Sequence, residues 1–140
     1  MSKKFKSLIV FFGLLFLIST VATYAQILRD TSSLNLIKKG VDYIYNMQFK
    51  NAEDVCNKFS QSYPGHPVVF LLKGMITYWE NYPLIPTSPA RKSYEKDLRS
   101  SIEKSEKFAP EDEAEFLLAN LCARGMLLLF YSDNNLFWKI

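Results

Sequence analysis

Two glycines constrain this chain more than any other residues. Gly40 and Gly74 each interrupt an apolar run of helical period, and they stand 34 residues apart. A glycine inside a helix costs about 1 kcal/mol relative to alanine, and where one is kept it usually lets another helix come close. Around Gly40, the residues Leu34, Ile37, Val41, Ile44 and Tyr45 recur at spacings of three and four, which predicts a first helix from Leu34 to Met47. Gln48 to Asn51 is a tight turn. Asn51 is placed to cap a second helix over Ala52–Ser62, with Ala52, Val55, Cys56 and Phe59 on its apolar face. Tyr63-Pro64-Gly65-His66-Pro67 then breaks the chain, with Pro67 opening the next helix. His66 is therefore read as an N-cap or turn residue, with no nucleophile or carboxylate in its sequence neighbourhood.

The third helix, Pro67 to Tyr82, is apolar nearly all round: Val68, Val69, Phe70, Leu71, Leu72, Met75, Ile76, Tyr78 and Trp79. A helix with no polar face is buried between neighbours, so this one belongs at the centre. Pro83 to Ser88 is a loop. A fourth helix restarts at Ser88-Pro89 and runs to Phe108. Tyr94, Leu98 and Ile102, with Ser101 and Ser105, form its narrow apolar stripe. Arg91, Glu95, Arg99, Glu103 and Lys107 make an alternating-sign ladder of the kind that stabilises a solvated face. After Ala109-Pro110, the cluster Glu111, Asp112, Glu113 and Glu115 suits the positive end of a helix dipole. A fifth helix follows to Phe130 and is expected to bury Phe116, Leu117, Leu118, Leu121, Cys122, Met126, Leu128 and Leu129. Leu136, Phe137, Trp138 and Ile140 form a short apolar tail.

The N-terminus has a different character. Lys3, Lys4 and Lys6 precede an apolar run, Leu8–Ile18, of 11 residues, short of the roughly 20 that span a bilayer. Thr23-Tyr24-Ala25 then suits a signal-peptidase cut after Ala25. Residues 1–25 read as a secretory signal peptide and 26–33 as a polar lead-in whose Asp30, Thr31, Ser32 and Ser33 offer capping oxygens. The alternative is an uncleaved membrane anchor over residues 8–22. The three lysines supply all of the +3 formal charge; 14 basic and 14 acidic side chains remain. Such a balance lacks the clustered cations that nucleic acid requires. Cys56 and Cys122 have no Cys or His at metal-ligand spacing; they read as small core residues, with a disulfide as the rival reading in an oxidising compartment. One histidine in a turn, no Ser or Cys beside a base, no Gly-rich phosphate loop and no converging carboxylates argue against an enzyme. No cofactor or metal is expected.

Gly40, Tyr43, Phe49, Ala52 and Pro64, with Gly74 one period later, make the chain resemble the tetratricopeptide repeat, a unit of about 34 residues built from two antiparallel helices. The resemblance implies an all-α fold of helix-turn-helix repeats, a right-handed α-solenoid over residues 34–140. Its units would be about 34–66, 67–110 and a partial 111–140, roughly two and a half in all. In the family, glycine and alanine sit where paired helices touch, and Pro64 and Pro110 correspond to the proline that closes a unit. The second unit is long, and Asn120 stands where the third glycine is expected. The resemblance further implies a protein or peptide partner held in a concave groove lined by the first helix of each unit. The matching positions are Leu34, Ile37, Val41, Ile44 and Tyr45, then Val68, Leu71, Met75, Tyr78 and Trp79, then Leu117, Leu121 and Arg124. The alternative is that these faces close on one another. The function so implied is a non-enzymatic scaffold, exported in a bacterium to the periplasm or beyond, and membrane-bound only if the signal helix is retained. A truncated piece of a longer repeat protein is the other reading.

Overall fold

The computed structural model describes residue 27, residues 30–108 and residues 114–139. The expected signal peptide and its cut, Pro110 and residues 111–113 lie outside the described residues. Five α-helices follow one another: α1 (Thr31–Tyr45), α2 (Phe49–Ser62), α3 (Pro67–Glu80), α4 (Ala90–Phe108) and α5 (Ala114–Asp133), with a 3-10 turn at Phe137–Lys139. No strand occurs among the described residues, in keeping with the all-α expectation.

Local chemistry sets the helix ends. Asp30 caps α1, accepting from the backbone N–H groups of Ser32 and Ser33 at 3.1 Å each and from the Ser33 hydroxyl. Tyr63, at the end of α2, donates to Asp30 Oδ2 at 3.1 Å and meets Ser33 Oγ at 2.6 Å. The start of α1 is thereby tied to the end of α2. The Ser33 hydroxyl, with the backbone N–H groups, holds the Asp30 carboxyl below its ordinary value. Met47 closes α1 with a left-handed φ of 56°, which lets the Gln48 N–H reach Tyr43 O at 2.8 Å. Asn51 does not cap α2. That helix begins earlier, at Phe49, and Asn51 lies inside it with its amide on Gln48 Oε1 at 3.1 Å. His66 does cap α3: Nδ1 accepts from the Val68 N–H at 3.2 Å, with Pro67 at the first helical position.

Each helix packs on the next, and α3 also touches both α1 and α5, so the odd-numbered helices form a row. One core cluster joins Ile44 of α1, Ala52, Cys56 and Phe59 of α2, and Val69, Leu72 and Ile76 of α3. A second joins Leu71 and Tyr78 of α3, Tyr94 and Leu98 of α4, and Ala123, Leu127 and Phe130 of α5. α3 feeds both clusters, which is why it is apolar nearly all round. Both glycines mark close approaches. A Cβ on Gly40 would lie 3.2 Å from Val55 Cγ1 of α2, and one on Gly74 only 2.5 Å from Leu98 Cδ2 of α4.

The fifth helix departs from its expected burial. Phe116 is buried, but Leu117, Leu118, Leu121, Cys122, Leu128 and Leu129 are exposed. The physical reason is a shortage of neighbours. α5 touches α4 and α3 on one side, and Ala119, Ala123, Leu127, Phe130 and Tyr131 fill that contact. No described helix covers the other side. The tail buries Leu136 in the second cluster but leaves Phe137 and Trp138 exposed.

Candidate functional site

Among the described residues, the outward side of α5 holds five of the eleven exposed large hydrophobic side chains. Leu117, Leu118, Leu121, Leu128 and Leu129 are each between 50% and 68% exposed. At 3.6 residues per turn they share one half of the helix with Cys122, Gly125 and Ser132, and none of these carries charge. A Cβ on Gly125 would meet nothing within 4 Å. Gly125 lies roughly opposite Ala119, Ala123 and Phe130, the residues that pack inward. Gly74 stands in the same relation on α3: Leu72 and Ile76 face α1 and α2 on one side, and Gly74 takes Leu98 on the other. Gly125 is thus the glycine on the open side of α5, as Gly74 is the glycine on the α4 side of α3. Asn120 is occupied locally, accepting from Arg124 Nε at 2.7 Å.

A groove of about 660 Å³ runs beside this face between α4 and α5, with Ile102, Leu121, Gly125, Leu127 and Leu128 among its lining and Arg99, Glu103, Glu106, Arg124, Tyr131 and Lys139 at its edges. Its charges are largely paired. Arg124 bridges to Glu106. Arg99 Nη2 donates to Tyr131 Oη at 3.0 Å. Glu95 accepts from Arg91 at 3.2 Å and from Lys139 at 3.1 Å. Partial burial raises the Glu95 carboxyl, but these two hydrogen bonds outweigh it and leave the group below its ordinary value. The α4 ladder is thus partly spent on α5 and the tail, not on solvent alone.

The residues picked from sequence for a groove are divided. Ile37 and Val41 are half-buried against the first cluster. Leu71 and Tyr78 are buried in the second, facing α4 and α5. Met75 and Trp79 are half-buried against both clusters. Tyr45 is exposed, its ring 5.8 Å from Trp79, which stacks on Tyr82 at 5.5 Å. The structure therefore brings Tyr45, Trp79 and Tyr82 together at one end of α1 and α3, and places Arg124 separately at the α4–α5 groove.

Two polar features remain. His66 Nε2 lies 3.7 Å from Glu115 Oε1, both groups buried, with the Phe116 ring 5.1 Å from the imidazole. So a carboxylate does adjoin His66, supplied by a distant stretch of chain that local reading could not connect. Burial pushes the imidazole down to about 4, and it is uncharged at neutral pH. The pair links the α2–α3 turn to the start of α5. A smaller cleft of about 340 Å³ is lined by Glu53, Cys56, Asn57, Lys73, Ile76, Thr77, Glu80 and Asp97. Burial raises the Asp97 carboxyl there. Among the described residues no group of three His, Cys, Asp or Glu side chains could hold a metal ion. Both cysteines are free, Cys56 buried as expected and Cys122 exposed. α5 is also long and apolar enough to cross a membrane, by length and composition alone. Compared with known proteins, the chain matches no family model, no curated protein and no solved structure.

Proposed function

We propose that this chain is an exported, non-enzymatic helical-repeat module of the tetratricopeptide type that binds another polypeptide, and that its docking surface is the outer face of α5 with the adjoining α4–α5 groove. The carrying observation is the contrast among the helical glycines. Gly40 and Gly74 each receive an aliphatic side chain from the helix that follows, whereas Gly125 faces open space among five exposed leucines. An amphipathic helix laid on this face would meet apolar side chains at i, i+3, i+4 and i+7, the pattern of helix-in-groove recognition. Complete burial of a leucine yields about 1.5–3 kcal/mol, so covering five that are about half exposed is worth roughly 4–8 kcal/mol before the cost of association. The row of odd-numbered helices supports the repeat reading, and the basic-apolar-small order of residues 1–25 supports export.

The test is retention of an envelope protein on the immobilised chain. Leu121→Glu and Leu128→Glu are expected to abolish retention without loss of helical circular dichroism, because both side chains are exposed. Retention that survives both changes but is lost with Tyr45→Ala and Trp79→Ala would move the surface to the α1–α3 aromatic cluster and overturn the assignment to α5.

A further inference from the structure

We propose that the occupant of this face is a second copy of the chain. Two α5 helices would meet antiparallel, crossing at Gly125, in a twofold dimer. The inference rests on the reading of α5 as a docking surface and names what docks there. A twofold contact requires one patch to complement itself, and the outward residues of α5 have that property. Leu121 and Leu129 stand four residues either side of Gly125, and Cys122 and Leu128 three residues either side. In an antiparallel crossing at Gly125, Leu121 of one copy therefore faces Leu129 of the other. The two glycines, with nothing within 4 Å of either Cβ position in the single chain, let the helix backbones come close at the axis.

Charge and area agree with this occupant. In such a crossing each edge of the helix meets the same edge of the second copy, so an unpaired charge there would face its own kind. Residues 117, 118, 121, 122, 125, 128, 129 and 132 carry none; Arg124 at one edge is already bridged to Glu106, and Asp133 at the other lies eight residues from the crossing, which sets the two copies of it about 24 Å apart along the helices. A leucine side chain offers on the order of 100 Å² of apolar surface. Five leucines at 50–68% exposure then supply roughly 600 Å² over two copies. Interfaces are about 60% apolar, so the total comes to roughly 1,000 Å², the size at which specific association begins.

Sedimentation velocity on the purified protein tests the proposal. Wild type should sediment as a concentration-dependent dimer. Leu121→Glu and Leu129→Lys should each shift it to monomer, raising Kd by on the order of 100-fold, since each change places a charge twice in an apolar contact. Circular dichroism should stay that of wild type. Mixed in equal amounts, the two variants should re-form a heterodimer, because the antiparallel register sets Glu at 121 against Lys at 129. Cys122, being exposed while Cys56 is buried, should cross-link between copies with a short bis-maleimide, the two sulfurs being offset along the helices by about 9 Å. A monomeric wild type, a dimer indifferent to both charges, or variants that fail to re-associate would overturn the dimer. If wild type is monomeric yet Leu121→Glu still abolishes retention of an envelope protein, the docking surface stands and only self-association falls.

Discussion

Replacing each helical glycine by alanine separates the three sites by sign. At Gly74 a Cβ would stand 2.5 Å from Leu98 Cδ2 and 2.9 Å from Leu98 Cγ. Leu98 is fully buried beside Tyr94 and Leu71, so it has nowhere to turn. Alanine gains about 1 kcal/mol of helix propensity, but overpacking of this kind costs about 1–3 kcal/mol, and displacing Leu98 by its branch atom falls in the upper part of that range. Gly74→Ala should therefore lose about 1–2 kcal/mol. At Gly40 the nearest atom is Val55 Cγ1 at 3.2 Å, and a shift of a few tenths of an ångström in a stiff β-branched side chain roughly cancels the propensity gain. Gly40→Ala should lie within about 0.5 kcal/mol of wild type. Gly125→Ala meets nothing and should stabilise the isolated chain by about 1 kcal/mol. Urea unfolding followed by far-ultraviolet circular dichroism, at concentrations low enough to exclude association, reads all three midpoints. The required order is Gly125→Ala above Gly40→Ala above Gly74→Ala. Adding Leu98→Ala to Gly74→Ala should recover on the order of 1 kcal/mol of favourable coupling. A Gly74→Ala protein as stable as wild type, or a destabilised Gly125→Ala protein, would refute the helix contacts argued above.

His66 is held at about 4 against an ordinary 6.5, so the unfolded chain takes up the proton first. Its contribution is intact above pH 6.5 and is lost as pH falls towards 4. The loss has an upper bound of about 3 kcal/mol, because the Glu115 carboxylate favours the charged ring. His66→Asn keeps a capping acceptor and should flatten that part of the stability–pH curve in urea titrations; an unchanged slope would count against a buried neutral imidazole. Tyr94 donates to Met126 O at 2.7 Å, so Tyr94→Phe should cost about 0.5–1.5 kcal/mol in the same assay, the net worth of one hydrogen bond, since the carbonyl keeps its donor within α5. Expressed with residues 1–25 in a bacterial host, the protein should give the intact mass of a chain beginning at Gln26, and an uncleaved mass would favour the anchor.

Periodicity made the helices legible, because Leu34, Ile37, Val41 and Ile44 or Tyr94, Leu98 and Ile102 each mark a single stripe that can lie on only one side of a helix. The contacts of Gly40 and Gly74 were legible for the same reason: a costly glycine within a stripe has few physical uses. The direction of α5 was not. Its apolar residues surround the helix, five leucines on one half and Phe116, Ala119, Ala123, Leu127 and Phe130 on the other, so the sequence carries no preference for which half turns inward; that is settled by α3 and α4, which reach only the side of Ala119 and Ala123. The groove residues divided for a related reason. Leu71 and Tyr78 look like their neighbours in sequence, but the arrival of Tyr94 and Phe130 buries them. The meeting of His66 with Glu115 depends on tertiary packing alone, and no local pattern encodes it.

Photo-cross-linking tests the central claim most directly. A benzophenone side chain placed at position 121 or 128, in the full chain expressed in bacteria, should yield a polypeptide adduct, a second copy included, on irradiation. The same group at Tyr45, which is equally exposed but lies on the α1–α3 side, should yield none. Adducts from position 45 with none from 121 or 128 would contradict the assignment of the docking surface to α5.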